Sequence, residues 1–315
     1  MANVANTSNK ENVYFQSSDG LDKIHASIWT PEKEPRAVLQ IVHGMQEYID
    51  RYEELASFFT GKGFVVCGED HLGHGESVAE DGTYGYFCKQ DPEKVLPEDT
   101  HKLTLVMKER YPKAKYVILG HSFGSFITRE YLARFGEDVD VAIICGTANQ
   151  PESVAKGGLA VSRIQKFFLG DKHVAKMLDK ITFGNYLSKI DNPKTPSDWL
   201  SYNEKSVEAY RGDPWCTFTF TINGFETMAK LLLLVGDKNR MKQMPKDLPI
   251  LLVAGKEDPV GNYGKGVEQL YGIYKDEIGL NVSLKLYDHM RHEIHNEPGR
   301  QQVFDDYLNF INEHI

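Results

Sequence analysis

The 315-residue chain has only four cysteines, no long apolar run and no cluster of basic residues. Cys67, Cys88, Cys145 and Cys216 lie far apart, without a CxxC pair or a Cys/His spacing. That argues against a disulfide framework or a thiolate metal site and for a reducing compartment, with the four thiols as small buried hydrophobes. The longest strongly apolar stretch, Leu231 to Val235, falls far short of the ~20 residues of a membrane span. The opening segment MANVANTSNKENVYF has one lysine and no apolar stretch of signal-peptide length, so a cytoplasmic location is expected. Against 45 Asp and Glu stand 36 Lys and Arg, a net charge of −9. This balance repels phosphate backbones and anionic headgroups, so neither nucleic acid nor stable membrane insertion is expected as a partner. Transient contact with a lipid surface stays compatible with it. A small-molecule partner is the better expectation, and no cofactor or metal is called for.

What is present is an ordinary globular composition, 41% hydrophobic and 26% charged. Short β-branched runs alternate with helical patterns. AVLQIV (Ala37 to Val42), FVVCG (Phe64 to Gly68), YVIL (Tyr116 to Leu119) and VAIIC (Val141 to Cys145) are too short for buried helices and read as strands covered on both faces. Between them, Arg51 to Gly61, Pro92 to Arg110 and Phe123 to Phe135 have helical spacing. From Thr147 to Leu234 the alternation stops, and an irregular helical stretch rich in Phe, Trp and Tyr takes over. Strand logic resumes at PILLV (Pro249 to Val253), then a helix near Val267 to Tyr274, a strand at Val282 to Leu286 and a helix from Pro298 to Ile311. The pattern predicts a mostly parallel sheet flanked by helices, residues 1–146 and 236–315, with a helical cap inserted at 147–235. ENVYFQS, Glu11 to Ser17, is similar to a tag-protease site, but Asn12 to Gln16 also reads as a first strand that Ile24 to Trp29 continues as a hairpin.

Gly120-His121-Ser122-Phe123-Gly124 fits G-x-S-x-G and sits between strand YVIL and a helix, where a nucleophile elbow belongs. A serine hydroxyl needs a base, and the base an orienting carboxylate. In this architecture the acid and the histidine follow the serine, on loops after later strands. Asp258, in AGKEDPVG, meets the first demand; Glu257, Asp247 and Asp70 compete less well. The loop after VSLKLY holds His289, His292 and His295, and position favours the later two. A tetrahedral intermediate needs backbone N–H donors, expected from Phe123 and from Met45 in HGMQE, with His43 bracing that loop.

HGMQEY, DHLGHGES, GHSFGS, GKEDPVG and MRHEIHNE, in that order along nearly the whole chain, resemble the monoacylglycerol lipase and lysophospholipase branch of the α/β-hydrolases. The resemblance implies Ser122 as nucleophile, Asp258 as acid, His292 as base, Met45 and Phe123 as oxyanion donors and the insertion as a lid. One departure is Phe123, where that branch often has methionine; it bears on pocket shape, since only the N–H is used. The implied activity is hydrolysis of a carboxyl ester carrying an apolar acyl chain, a monoacylglycerol or a lysophospholipid. An acyltransferase, a short-chain carboxylesterase and a non-catalytic binding member are the alternatives. The last has no reason to keep Ser122, Asp258 and His292 together. The aromatic residues of the insertion suit an acyl pocket and equally suit the insertion's own core.

Overall fold

The computed structural model describes residues 9–78 and 80–315; most of the opening stretch read for targeting, residues 1–8, lies outside them. Eight strands form one sheet: β1 (Asn9–Gln16), β2 (Lys23–Thr30), β3 (Ala37–Val42), β4 (Phe64–Glu69), β5 (Lys115–His121), β6 (Val141–Cys145), β7 (Ile250–Gly255) and β8 (Val282–Tyr287). Their spatial order is β1-β2-β4-β3-β5-β6-β7-β8. β1 pairs antiparallel with β2, and β2 antiparallel with β4; every other pairing is parallel. Glu11 to Gln16 of the ENVYFQS segment thus lie in strand β1, which pairs with β2 along its whole length, and Ser17 follows it. The apolar runs owe their character to burial on both sides: every residue of β3, β4 and β7 is buried. Alternate residues of β3 enter different cores, Val38 and Val42 on one face and Ala37, Leu39 and Ile41 on the other, as the twofold period of a strand requires.

The first face carries α2 (Pro92–Arg110) and α3 (Phe123–Phe135); the second carries α1 (Glu53–Thr60) and, near the end of the chain, a long terminal helix. Between β6 and β7 lie four helices, α4 (Glu152–Leu169), α5 (Lys176–Phe183), α6 (Glu204–Gly212) and α7 (Ile222–Gly236), then the short α8 (Lys238–Met241). α9 (Lys265–Gly272), continued by a wider turn over Ile273–Ile278, and α10 (Arg300–His314) complete the chain. Among the described residues, no helix is long and apolar enough to cross a membrane.

One buried cation stitches the inserted helices to the sheet domain. Arg129 of α3, only 1% exposed, donates to the carbonyls of Ala148 and Val235, each at 2.8 Å, and to the Tyr274 hydroxyl at 3.0 Å. Ala148 begins the segment that leaves the sheet and Val235 ends it, so one forked guanidinium holds both roots. Replacing it with methionine strands two carbonyls without a donor, each costing about 1–3 kcal/mol. Arg129→Met is therefore expected to lower the urea midpoint by the equivalent of roughly 3 kcal/mol, and a midpoint equal to wild type would contradict this role.

Candidate active site

β5 ends at His121 and α3 begins at Phe123, which leaves Ser122 alone in the turn at φ 52° and ψ −120°. A side chain is rarely tolerated at such angles, so the turn is strained and persists because both of its arms are packed. Gly124 makes that packing possible: a Cβ there would overlap the carbonyl oxygens of Val42 and His43. The start of α3 therefore rests on the end of β3, and the loop leaving β3 runs past the serine. Gly44 in that loop is also close-packed: a Cβ on it would stand 2.6 Å from Glu47 Oε1 and 3.1 Å from the Ser122 Cβ. Among the described residues, the N–H groups of Met45 and Phe123 donate to no protein acceptor. Both belong to segments that converge on Ser122.

Asp258 is fully buried after β7. Its Oδ1 accepts the Val260 N–H at 2.8 Å, which turns Oδ2 toward His292 Nδ1 at 2.9 Å. Burial alone pushes the His292 imidazole down, but the charge and hydrogen bond of Asp258 outweigh it and raise its pKa above the ordinary histidine value. The Trp199 ring lies 5.0 Å from the imidazole. Ser122 and His292 line one cavity without a direct hydrogen bond between them.

The competing residues lie elsewhere. Asp70 faces His25 Nδ1 at 2.8 Å and accepts the Ile49 N–H at 2.8 Å, so it braces the β2 and β4 ends. Glu257 accepts from the Tyr202 hydroxyl and sits 3.5 Å from His289, whose ring is exposed. His295 stacks on Tyr52 with ring centres 4.8 Å apart and meets His121 edge-on, and burial pushes its pKa down to about 3. His43 is buried beside His71 and His74, and burial with these neighbours keeps it neutral; its Nε2 accepts the His71 N–H at 3.0 Å. It braces the loop, as expected.

An ion cluster behind the site escaped the sequence reading. Glu47 accepts from the Gly44 N–H, from the Tyr52 hydroxyl at 2.9 Å and from Arg51 at 2.7 Å, and lies 3.1 Å from His121 Nδ1. Arg51 also forks onto Glu293 at 2.9 and 3.0 Å. The residue beside His292 is thereby tied to the loop that carries Met45. Its only local signal is the four-residue spacing of Glu47 and Arg51.

The cavity over Ser122 measures about 310 Å³. Phe126, Leu178, Trp199, Phe225, Met228 and Leu232 supply much of its wall, and among the described residues Glu47 and Glu293 are its only carboxylates. An apolar chamber with a few polar groups at one end suits a small ligand with a hydrocarbon part.

The family described as serine aminopeptidase, S33 (Hydrolase_4) matches residues 33–299. A monoacylglycerol lipase of Mycolicibacterium smegmatis is 28% identical over 297 residues, 93% of this chain and 94% of its own length. The human monoglyceride lipase is 28% identical over 272 residues, 85% of this chain and 79% of its own. The crystal structure of a thermostable carboxyl esterase from Bacillus coagulans, in complex with glycerol, superposes with a TM-score of 0.90 at 32% identity, covering 97% of this chain and 98% of that one. The chain belongs to the serine aminopeptidase S33 (Hydrolase_4) family and has the α/β-hydrolase fold.

Proposed function

We infer that the protein is a serine carboxyl-ester hydrolase acting on monoacylglycerol-like esters. The observation that carries this reading is an apolar-walled cavity with the strained Ser122 and the Asp258-oriented His292 at one end. In this reading Ser122 Oγ attacks the ester carbonyl as His292 Nε2 takes its proton. Asp258 holds the opposite N–H, fixing the tautomer and stabilising the imidazolium. The carbonyl oxygen becomes an oxyanion that accepts from the Met45 and Phe123 N–H groups. His292 then returns the proton to the leaving alkoxide, and water repeats the sequence on the acyl-serine. A peptide substrate would present an ammonium group, and both carboxylates of the cavity are already engaged by Arg51. The similar lipases and the glycerol-bound esterase favour a glycerol ester. Residues 147–235 act as a lid that encloses the acyl chain and excludes water from the oxyanion.

Ser122→Ala is expected to lower turnover by on the order of 10⁶. His292→Ala is expected to lose most activity, whereas His295→Ala, whose imidazole never reaches Asp258, keeps much of it. The reverse ranking in folded variants would overturn the assignment. Because His292 must be neutral to accept the serine proton and its pKa is raised, the acid limb of kcat/KM is expected above the ordinary histidine value of ~6.5. Activity already at its plateau well below that pH would contradict the base.

Burying an acyl chain gains roughly 0.8 kcal/mol per CH₂, so kcat/KM is expected to climb about two- to fourfold per methylene until the cavity is full. A series of nitrophenyl esters and monoacylglycerols of increasing length measures this. A steady fall from acetyl to decanoyl would reject the lipase-like reading and leave the serine hydrolase.

A further inference from the structure

One group of metal-ligating side chains among the described residues has no part in the proposed chemistry. A nitrogen each from His121 and His295 and the sulfur of Cys145 lie within 4.8 Å of one another, and all three residues are buried. His121 ends β5 and Cys145 ends β6, paired across the sheet, while His295 follows on the loop that carries His292. Segments this far apart along the chain leave no CxxC-like spacing, which is why sequence spacing argues against a thiolate site. Around one zinc ion, with Zn–N near 2.0–2.1 Å and Zn–S near 2.3 Å, ligand atoms stand about 3.3–3.8 Å apart. The three side chains therefore close on an ion by moving less than ~1 Å each.

The surroundings suit a cation. Glu47 Oε1 lies 3.1 Å and the Tyr52 hydroxyl 3.0 Å from His121 Nδ1, and a carboxylate on the far nitrogen is the usual support of a metal-bound imidazole. The His121 Nε2 is less engaged, with only a 3.4 Å approach to the His292 carbonyl. Arg51 alone faces the two buried carboxylates Glu47 and Glu293, so a cation held through His121 meets a surplus of negative charge. The Tyr307 hydroxyl stands beside Cys145, buried and without a hydrogen-bond partner; it gains an acceptor when the thiol becomes a thiolate. Burial pushes the His295 pKa down to about 3, which leaves its imidazole neutral with a lone pair to bind, and pushes the Cys145 thiol up to about 12. That thiol keeps its proton until a metal replaces it.

We propose that His121, Cys145 and His295 form a zinc site beside the catalytic turn, tying the ends of β5 and β6 to the loop that carries His292. On binding, the Cys145 S–H bond breaks, one Zn–S and two Zn–N bonds form, and one proton passes to solvent. Two imidazoles and a thiolate suit Zn²⁺, whereas Mg²⁺ and Ca²⁺ take oxygen ligands. His121 lines the cavity over Ser122, so the ion enters from that side. It takes no part in ester hydrolysis, and the site stands whatever ester the cavity accepts.

The test is titration of the full chain, first stripped with a chelator, with Co²⁺, which occupies tetrahedral zinc sites and reports on them by its spectrum. One equivalent is expected to give a thiolate-to-cobalt charge-transfer band and the intense visible bands of a four-coordinate ion, both erased by one equivalent of Zn²⁺. Cys145→Ser is expected to abolish the charge-transfer band and His295→Ala to weaken binding about tenfold or more. Cys216→Ser, a buried thiol elsewhere, is expected to leave the band unchanged. Zn²⁺ is also expected to release about one proton on binding at neutral pH and to raise the thermal midpoint of wild type but not of Cys145→Ser. Absence of the charge-transfer band in wild type would overturn the proposal, whatever the variants do. So would a band that survives Cys145→Ser, or binding without thiolate contact that His289→Ala removes, since the ion would then sit on the exposed His289.

Discussion

The turn at Ser122 is the constraint around which the other loops are arranged. A residue with a side chain held at φ 52° has no local reason to stay there. What holds it is β5 in the middle of the sheet, α3 seated on the end of β3, and a glycine at 124 that lets helix and strand approach closely. The same seating brings the Gly44 loop, which leads into Met45, beside the serine. Strain at the turn and donors near it are two results of one packing arrangement, and the proposed chemistry uses both.

The remaining loops are coordinated by charge rather than by packing. Glu47, Arg51 and Glu293 form a buried cluster in which one guanidinium serves two carboxylates, each 4% exposed or less. Breaking such a cluster is costly because it leaves an unpaired buried charge, so the loop with Met45 and the loop with His292 keep a fixed relation. Arg129 does the corresponding work for the inserted helices, using backbone carbonyls in place of carboxylates. These two arginines anchor the floor and the roof of the cavity to a common frame.

Much of this was legible in the sequence wherever the information is local. The ends of α2, α3 and β6 fall where the apolar periodicity and the flanking Pro, Gly and Asp residues put them, and Gly-His-Ser-Phe-Gly is readable because the elbow needs its glycines next to the serine. Interactions between distant segments were not legible. Arg51 and Glu293 stand 242 residues apart, and nothing near either names the other. Position left His292 and His295 both open as bases; the distinction comes from the Val260 N–H, which turns the Asp258 carboxylate toward one ring, and from Tyr52, which stacks on the other. The aromatic residues of the insertion suited either a pocket or a private core. They serve as both, with Phe225 buried in a core shared with the sheet and Phe183 packed against it while each also faces the cavity, whereas Phe167 and Phe168 serve neither.

The central claim is that Ser122, oriented by its turn, forms a covalent acyl-enzyme whose oxygen is received by the Met45 and Phe123 N–H groups. A crystal structure of the protein inactivated with a long-chain alkyl phosphonate, which mimics the tetrahedral intermediate, tests it most directly. The account predicts phosphorus bonded to Ser122 Oγ, one phosphonyl oxygen about 2.7–3.1 Å from both N–H nitrogens, and the alkyl chain lying in the cavity beneath α4 and α7. A phosphonate attached to another residue, or one on Ser122 with its oxygen turned to solvent and its chain outside the cavity, would contradict it.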